Sequence, residues 1–132
     1  MSTLWVEHAS SSAAIARRSV LAAFGDAGVT GEPALDAALI ASELVGNAVR
    51  HAAPLPCGQL AVSWSVDDEG YQISVTDGGT DSCAADISAR LPDCQDTCGR
   101  GLRIVAELAD TWGVAAEDSG ATTVWARARK HD

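Results

Sequence analysis

Hydrophobic side chains along this chain switch between two periods. Thr3 to Glu7 reads as a short strand. Ile15, Val20, Leu21 and Phe24 then fall on a helix that Ser10, Ser11 or Ser12 can cap and that stops near Gly25 and Gly28. The chain restarts at Gly31 to Pro33, with proline just inside a second helix. Leu35, Leu39, Ser42, Val45 and Val49 repeat there at helical spacing until Pro54 and Pro56 end it. The period next falls to two. Leu60, Val62, Trp64 and Val66 alternate with Ala61, Ser63 and Ser65, and after a turn at Asp67 to Gly70 the alternation resumes through Tyr71, Ile73 and Val75. Leu102, Val105, Ala106 and Ala109 give a third helix, and Trp112 to Glu117 and Thr122 to Arg129 give two closing strands.

The order β-α-α-β-β-loop-α-β-β separates the helices from a largely antiparallel sheet. The expected fold is α+β, a two-layer α/β sandwich with a mostly antiparallel mixed sheet and helices on one face. With 132 residues, 47% of them hydrophobic, the chain is expected to form one domain over 1–132. Between Gly78 and Cys98 the periodicity disappears into Asp-, Ser-, Cys- and Gly-rich sequence too long for an idle connection, which suggests a lid at 80–98.

Charge then removes several functions. A formal net charge of -9 argues against direct nucleic-acid binding, because such affinity comes from neutralising phosphates with Lys and Arg. The only lysine, Lys130, lies at the chain's end, so a Walker-type phosphate loop is excluded. No apolar run reaches the ~20 residues of a membrane helix, and residues 1–12 lack a signal peptide's layout, so a cytoplasmic protein without membrane contact is expected. Cys57, Cys83, Cys94 and Cys98 form no CxxC pair and are expected to be reduced thiols.

Three places hold candidate chemistry. Asp36, Ile40, Glu43, Asn47 and Arg50 form one stripe down the second helix. This pattern reads either as a solvated edge or as a carboxylate and a carboxamide, Glu43 and Asn47, arranged as a base beside a Mg²⁺ ligand. Gly46 costs about 1 kcal/mol relative to alanine inside a helix, so something is expected to approach the backbone there. Asp77 falls on the same side of its strand as Tyr71, Ile73 and Val75. Asp77-Gly78-Gly79 is then either an ordinary turn or a buried acceptor for a ligand's amino group, with the glycines admitting the ligand. Gly99-Arg100-Gly101-Leu102 precedes a helix, where free amides and the helix dipole suit an anion.

Taken in order, these segments resemble the Bergerat-fold ATP-binding domain of DNA gyrase, histidine kinases and MutL, the GHKL superfamily. ELVGNAVRHA at 43–52 looks like the N box, VTDGG at 75–79 like the first glycine box and GRGLRIV at 99–105 like the second. The first box departs from the family's pattern at Asp81, where glycine is common. The short format and the closing GATTVWA at 120–126 are most similar to anti-sigma-factor serine/threonine kinases.

The resemblance implies ATP and Mg²⁺ as cofactors and assigns roles. Glu43 would be the general base, Asn47 the Mg²⁺ ligand and Asp77, beside Gly79, the adenine acceptor. Gly99, Arg100, Gly101 and Leu102 would face the phosphates, with Thr123 (or its neighbour Thr122) a phosphate contact and His51 in support. The implied partners are a sigma factor and an anti-anti-sigma protein, and relatives of this kind tend to form homodimers. The alternative is an ATP-binding module that sequesters a protein without transferring phosphate.

Overall fold

The computed structural model describes residues 2–79, 100–117 and 120–129. The predicted lid at 80–98, with Asp81, Cys83, Cys94 and Cys98, and Gly99 after it, lie outside the described residues. Eight elements follow the expected order: β1 (Ser2–Glu7), α1 (Ser12–Asp26), α2 (Glu32–His51), β2 (Gln59–Val66), β3 (Gly70–Asp77), α3 (Arg100–Leu108), β4 (Thr111–Ala116) and β5 (Thr122–Arg129). The strands form one sheet in the order β1-β2-β3-β5-β4. All four pairings are antiparallel, so the parallel pair that a mixed sheet requires is not among them.

Period-two alternation decides which face of the sheet is covered. Leu60 and Val62 of β2, Tyr71, Ile73 and Val75 of β3, and Val124, Ala126 and Ala128 of β5 are buried in one core with Val20 and Phe24 of α1 and Ile40, Leu44 and Val45 of α2. Burial of such side chains is worth about 1.5–3 kcal/mol each and holds the two layers together. Phe24 meets Tyr71 edge-on at a ring separation of 5.3 Å, fixing α1 over the middle of the sheet. The intervening residues, Gln72, Ser74 and Thr76 in β3 and Thr123, Trp125 and Arg127 in β5, point to the other face. Trp5 stands there 53% exposed. Gly113 is fixed by this packing, because a Cβ on it would lie 2.8 Å from the Trp125 ring.

Helix α2 is the centre of the helical layer and packs on α1, α3 and β3. Gly31 opens it with φ 74°, Pro33 sits in its first turn, and the backbone leaves it in extended conformation at Ala52. The expected serine cap of α1 does not form. Ser12 Oγ instead donates to Glu7 O at 2.6 Å, tying the start of α1 to the end of β1. In the β2–β3 turn, Asp67 Oδ1 accepts the Glu69 and Gly70 amides, and Oδ2 accepts Arg127 Nη2 at 2.8 Å. These bonds, with that of Arg127 first, hold the carboxyl below its usual range. No described helix is long and apolar enough to cross a membrane.

Candidate functional site

The polar stripe of α2 is not a solvated edge. Ile40 is fully buried, Asn47 is 7% exposed and Glu43 is half-buried, leaving Arg50 as its exposed member. Asn47 Oδ1 is buried without a hydrogen-bond partner among the described residues. An amide oxygen in that state costs about 1–3 kcal/mol unless a ligand or water meets it. The approach expected at Gly46 is made by Arg50, whose Nη1 would lie 3.2 Å from a Cβ built there. That atom ends a flexible exposed side chain and can move aside. Gly46→Ala is therefore expected to stabilise the protein by up to about 1 kcal/mol, read as a raised denaturation midpoint; a lowered midpoint would mean that Arg50 cannot yield.

Asp77 ends β3 on the helix-facing side and is 5% exposed. Burial pushes its carboxyl up to about 6, against the Gly79 N–H and the nearby His8, which pull it down. Gly79 N–H donates to Oδ1 at 2.6 Å, as in a turn, while Oδ2 has no hydrogen bond among the described residues. The two glycines are set by close backbone approach. A Cβ on Gly78 would lie 2.1 Å from Pro54 O, and one on Gly79, which has φ 81°, would lie 2.2 Å from Gly120 O. Two main-chain bonds, Gly78 N–H to Ala53 O at 2.7 Å and Ala53 N–H to Gly79 O at 3.1 Å, join the end of β3 to the segment leaving α2. His8 closes the same corner by donating from Nε2 to Ala52 O at 2.7 Å.

Thr122 lies opposite Asp77 in the β3–β5 register, 4% exposed, and its buried Oγ1 also has no partner among the described residues. Thr123, the predicted contact, points to the opposite sheet face, where its hydroxyl pairs with Thr76 Oγ1 at 2.7 Å. That expectation is corrected by simple alternation: with Val124, Ala126 and Ala128 inward, 122 is inward and 123 outward. His8 was missed because its place beside Asp77 comes only from the pairing of β1 with β2, for which no local sequence signal exists.

A cavity of about 610 Å³ opens at this end of the sheet, lined by Arg50, His51, Ala52, Ala53, Gly78, Gly79, Ala116, Glu117, Gly120 and Thr122. Glu43 lines a neighbouring groove of about 180 Å³ between α1 and α2, with Ser10, Ala13, Arg17, Ser42, Gly46, Val49 and Arg50. The backbone of Arg100, Gly101 and Leu102 forms the first turn of α3. Cys57 is an exposed free thiol. No cluster of His, Cys, Asp or Glu suited to a metal occurs among the described residues.

Asp77 and Thr122 are paired, buried polar residues at one end of the sheet of this two-layer α+β sandwich, and Asn47 Oδ1 on α2 is a further buried polar atom without a partner among the described residues, features that suit a ligand-binding domain. The sequence matches the histidine kinase-like ATPase domain family over residues 6–128, and the chain belongs to that family. Membership implies an ATP site. No curated protein matches the sequence. Among solved structures, the fold is similar to one in the SiaB–SiaC complex from Pseudomonas aeruginosa, with TM-score 0.76, 9% identity, and 96% of this chain and 88% of that chain covered. It is also similar to the RsbU and RsbW domains of Rv1364c from Mycobacterium tuberculosis, with TM-score 0.67 and 18% identity. That match covers 98% of this chain but 32% of the other.

Proposed function

We propose that this chain is a Mg-ATP-dependent protein serine/threonine kinase of the anti-sigma-factor type, binding a sigma factor, an anti-anti-sigma protein or both and phosphorylating the latter. The observation that carries the reading is the placement on α2 of half-buried Glu43 one turn before Asn47, whose Oδ1 is buried and unpartnered. In this reading Asp77 accepts the adenine amino group, Asn47 Oδ1 ligates Mg²⁺, and the amides at Gly99, Arg100, Gly101 and Leu102 meet the phosphates. When bound, Mg-ATP supplies the phosphoryl group, and the metal offsets charge on its oxygens. Glu43 takes the proton from the acceptor hydroxyl.

A protein partner is supported by the SiaB–SiaC neighbour, which is itself a complex of two proteins. One observation favours a second reading. Glu43 lines the α1–α2 groove, whereas Thr122 and Gly79 line the neighbouring cavity. A module that binds ATP and sequesters its partner without phosphate transfer needs no link between the two. Calorimetry with Mg-ATP, followed by transfer of labelled γ-phosphate to candidate anti-anti-sigma proteins, tests both. Binding with transfer supports the kinase, binding without transfer to any candidate supports the sequestering module, and no binding rejects both.

A further inference from the structure

His8 follows the last residue of β1 and lies in none of the three sequence motifs, yet it is bonded into a wall of the cavity. The register brings it there. Val6 pairs with Leu60 and Ala61 with Thr76, so one step along the ladder sets Val6, Leu60 and Asp77 in a single buried row across β1, β2 and β3, and His8 comes two residues after Val6. Its Nε2 donates to Ala52 O at 2.7 Å. Ala52 and Ala53 line the cavity with Gly78 and Gly79, and Ala53 carries the main-chain bonds to those glycines. His8 therefore ties β1 to the point where the exit of α2 meets the end of β3. A carbonyl only accepts, so Nε2 keeps its proton in both charge states of the ring, and Nδ1 is the atom that gains the second. Charge on that ring opposes the effect of burial on the Asp77 carboxyl. Nearby, Arg50 and His51 of α2 and Glu117 after β4 line the cavity, Glu43 lines the neighbouring groove and Glu7 is exposed. Among the described residues, His8 is the charged neighbour that acts on Asp77.

We propose that His8 is a positioning residue of the nucleotide site: its bond to Ala52 holds the Ala52–Ala53 wall in place, and its imidazolium keeps Asp77 a carboxylate able to accept a base's amino group as the solution turns acidic. The proposal rests on the nucleotide reading of Asp77. Its two effects separate by pH. Above about pH 7.5 an imidazole is mostly neutral, so the tether acts alone. Toward pH 6 the ring gains its proton in the interval where burial would otherwise leave Asp77 uncharged. His8→Gln keeps a side-chain N–H donor of similar reach and cannot be charged, whereas His8→Ala removes donor and charge together.

The test is calorimetry with Mg-ATP from about pH 8 down to about pH 5.5 on the wild type, His8→Ala and His8→Gln, each checked for folding at every pH. At the upper end, His8→Ala is expected to weaken ATP about three- to tenfold, and His8→Gln to restore the affinity. On acidification, the affinity of His8→Gln should fall before that of the wild type, at a pH higher by about 0.5 or more, because burial then acts on Asp77 unopposed. In the free protein, the Ala53 and Gly78 amides should exchange with deuterium faster in His8→Ala than in the other two. A loss in His8→Ala that His8→Gln does not restore, or superimposable pH profiles for His8→Gln and the wild type, would overturn the proposal while leaving the nucleotide site standing. A wild type that binds no ATP would overturn the nucleotide reading, and the proposal with it. Should His8→Ala fail to fold, the pH comparison of His8→Gln with the wild type still decides.

Discussion

Glu43→Gln is expected to keep the affinity for Mg-ATP and lower phosphate transfer by ~10²–10⁴-fold, the usual contribution of a general base. The change is nearly isosteric, glutamine forms helices well, and Glu43 makes no ion pair among the described residues whose loss would disturb α2. Asn47→Ala is the contrasting variant. It should weaken Mg-ATP binding itself, because it removes a buried acceptor that has no partner among the described residues. Titration calorimetry and single-turnover transfer on the same samples separate the two effects. Equal transfer by Glu43→Gln and wild type would end the case for Glu43 as base.

Asp77→Asn is expected to do two opposite things. It should weaken ATP by roughly tenfold to a hundredfold, the cost of replacing a charged acceptor by a neutral one. It should also make the protein more stable at neutral pH. The Asp77 carboxyl is raised by burial to about 6 from an ordinary 3.8, so the folded state binds its proton more tightly than the unfolded chain does. Its contribution to stability is then greatest below about 3.8, falls as pH rises to about 6, and stays low above that, a difference on the order of 2–3 kcal/mol. Denaturation at pH 7.5 should show the variant ahead of wild type, and the gap should close toward pH 4. Asparagine keeps an oxygen for the Gly79 amide, so the turn survives the exchange. A constant gap across that range would mean that Asp77 does not titrate as its burial requires. For the same reason, wild-type affinity for ATP should fall as pH drops through 6, where the acceptor gains a proton.

Most of the architecture was legible because each element carried a clean period. The alternation that buries Ile73 and Val75 also put Asp77 on the covered side, and the proline-to-proline span of α2 required no tertiary information. The stripe on α2 was legible as a pattern but not as a burial state. Helical spacing groups Ile40, Asn47 and Arg50 on one side, while only packing against α1, α3 and β3 decides how far around the helix the core extends. Thr122 could have been chosen over Thr123 by continuing the inward positions of β5 one step toward its start. Gly46 had a legible cost, but the cause, a guanidinium from the next turn of the same helix, depends on a rotamer. The serine cap failed for a related reason, since Ser12 found a better acceptor in Glu7 O, a carbonyl that enters range only when β1 is in place.

The pair of main-chain bonds between Ala53 and the glycines 78 and 79 has a consequence in time rather than in affinity. No side chain takes part, so neither bond can slacken through a rotamer change, and Gly78 is enclosed by the carbonyls of Ala53 and Pro54. Separating them means lifting the exit of α2 from the end of β3, a motion that also strains the His8 tether to Ala52. The Ala53 and Gly78 amides should therefore exchange with solvent deuterium as slowly as those in the middle of the sheet. This corner of the cavity is expected to behave as a fixed wall, so that a ligand bound there would have to enter and leave by the other sides.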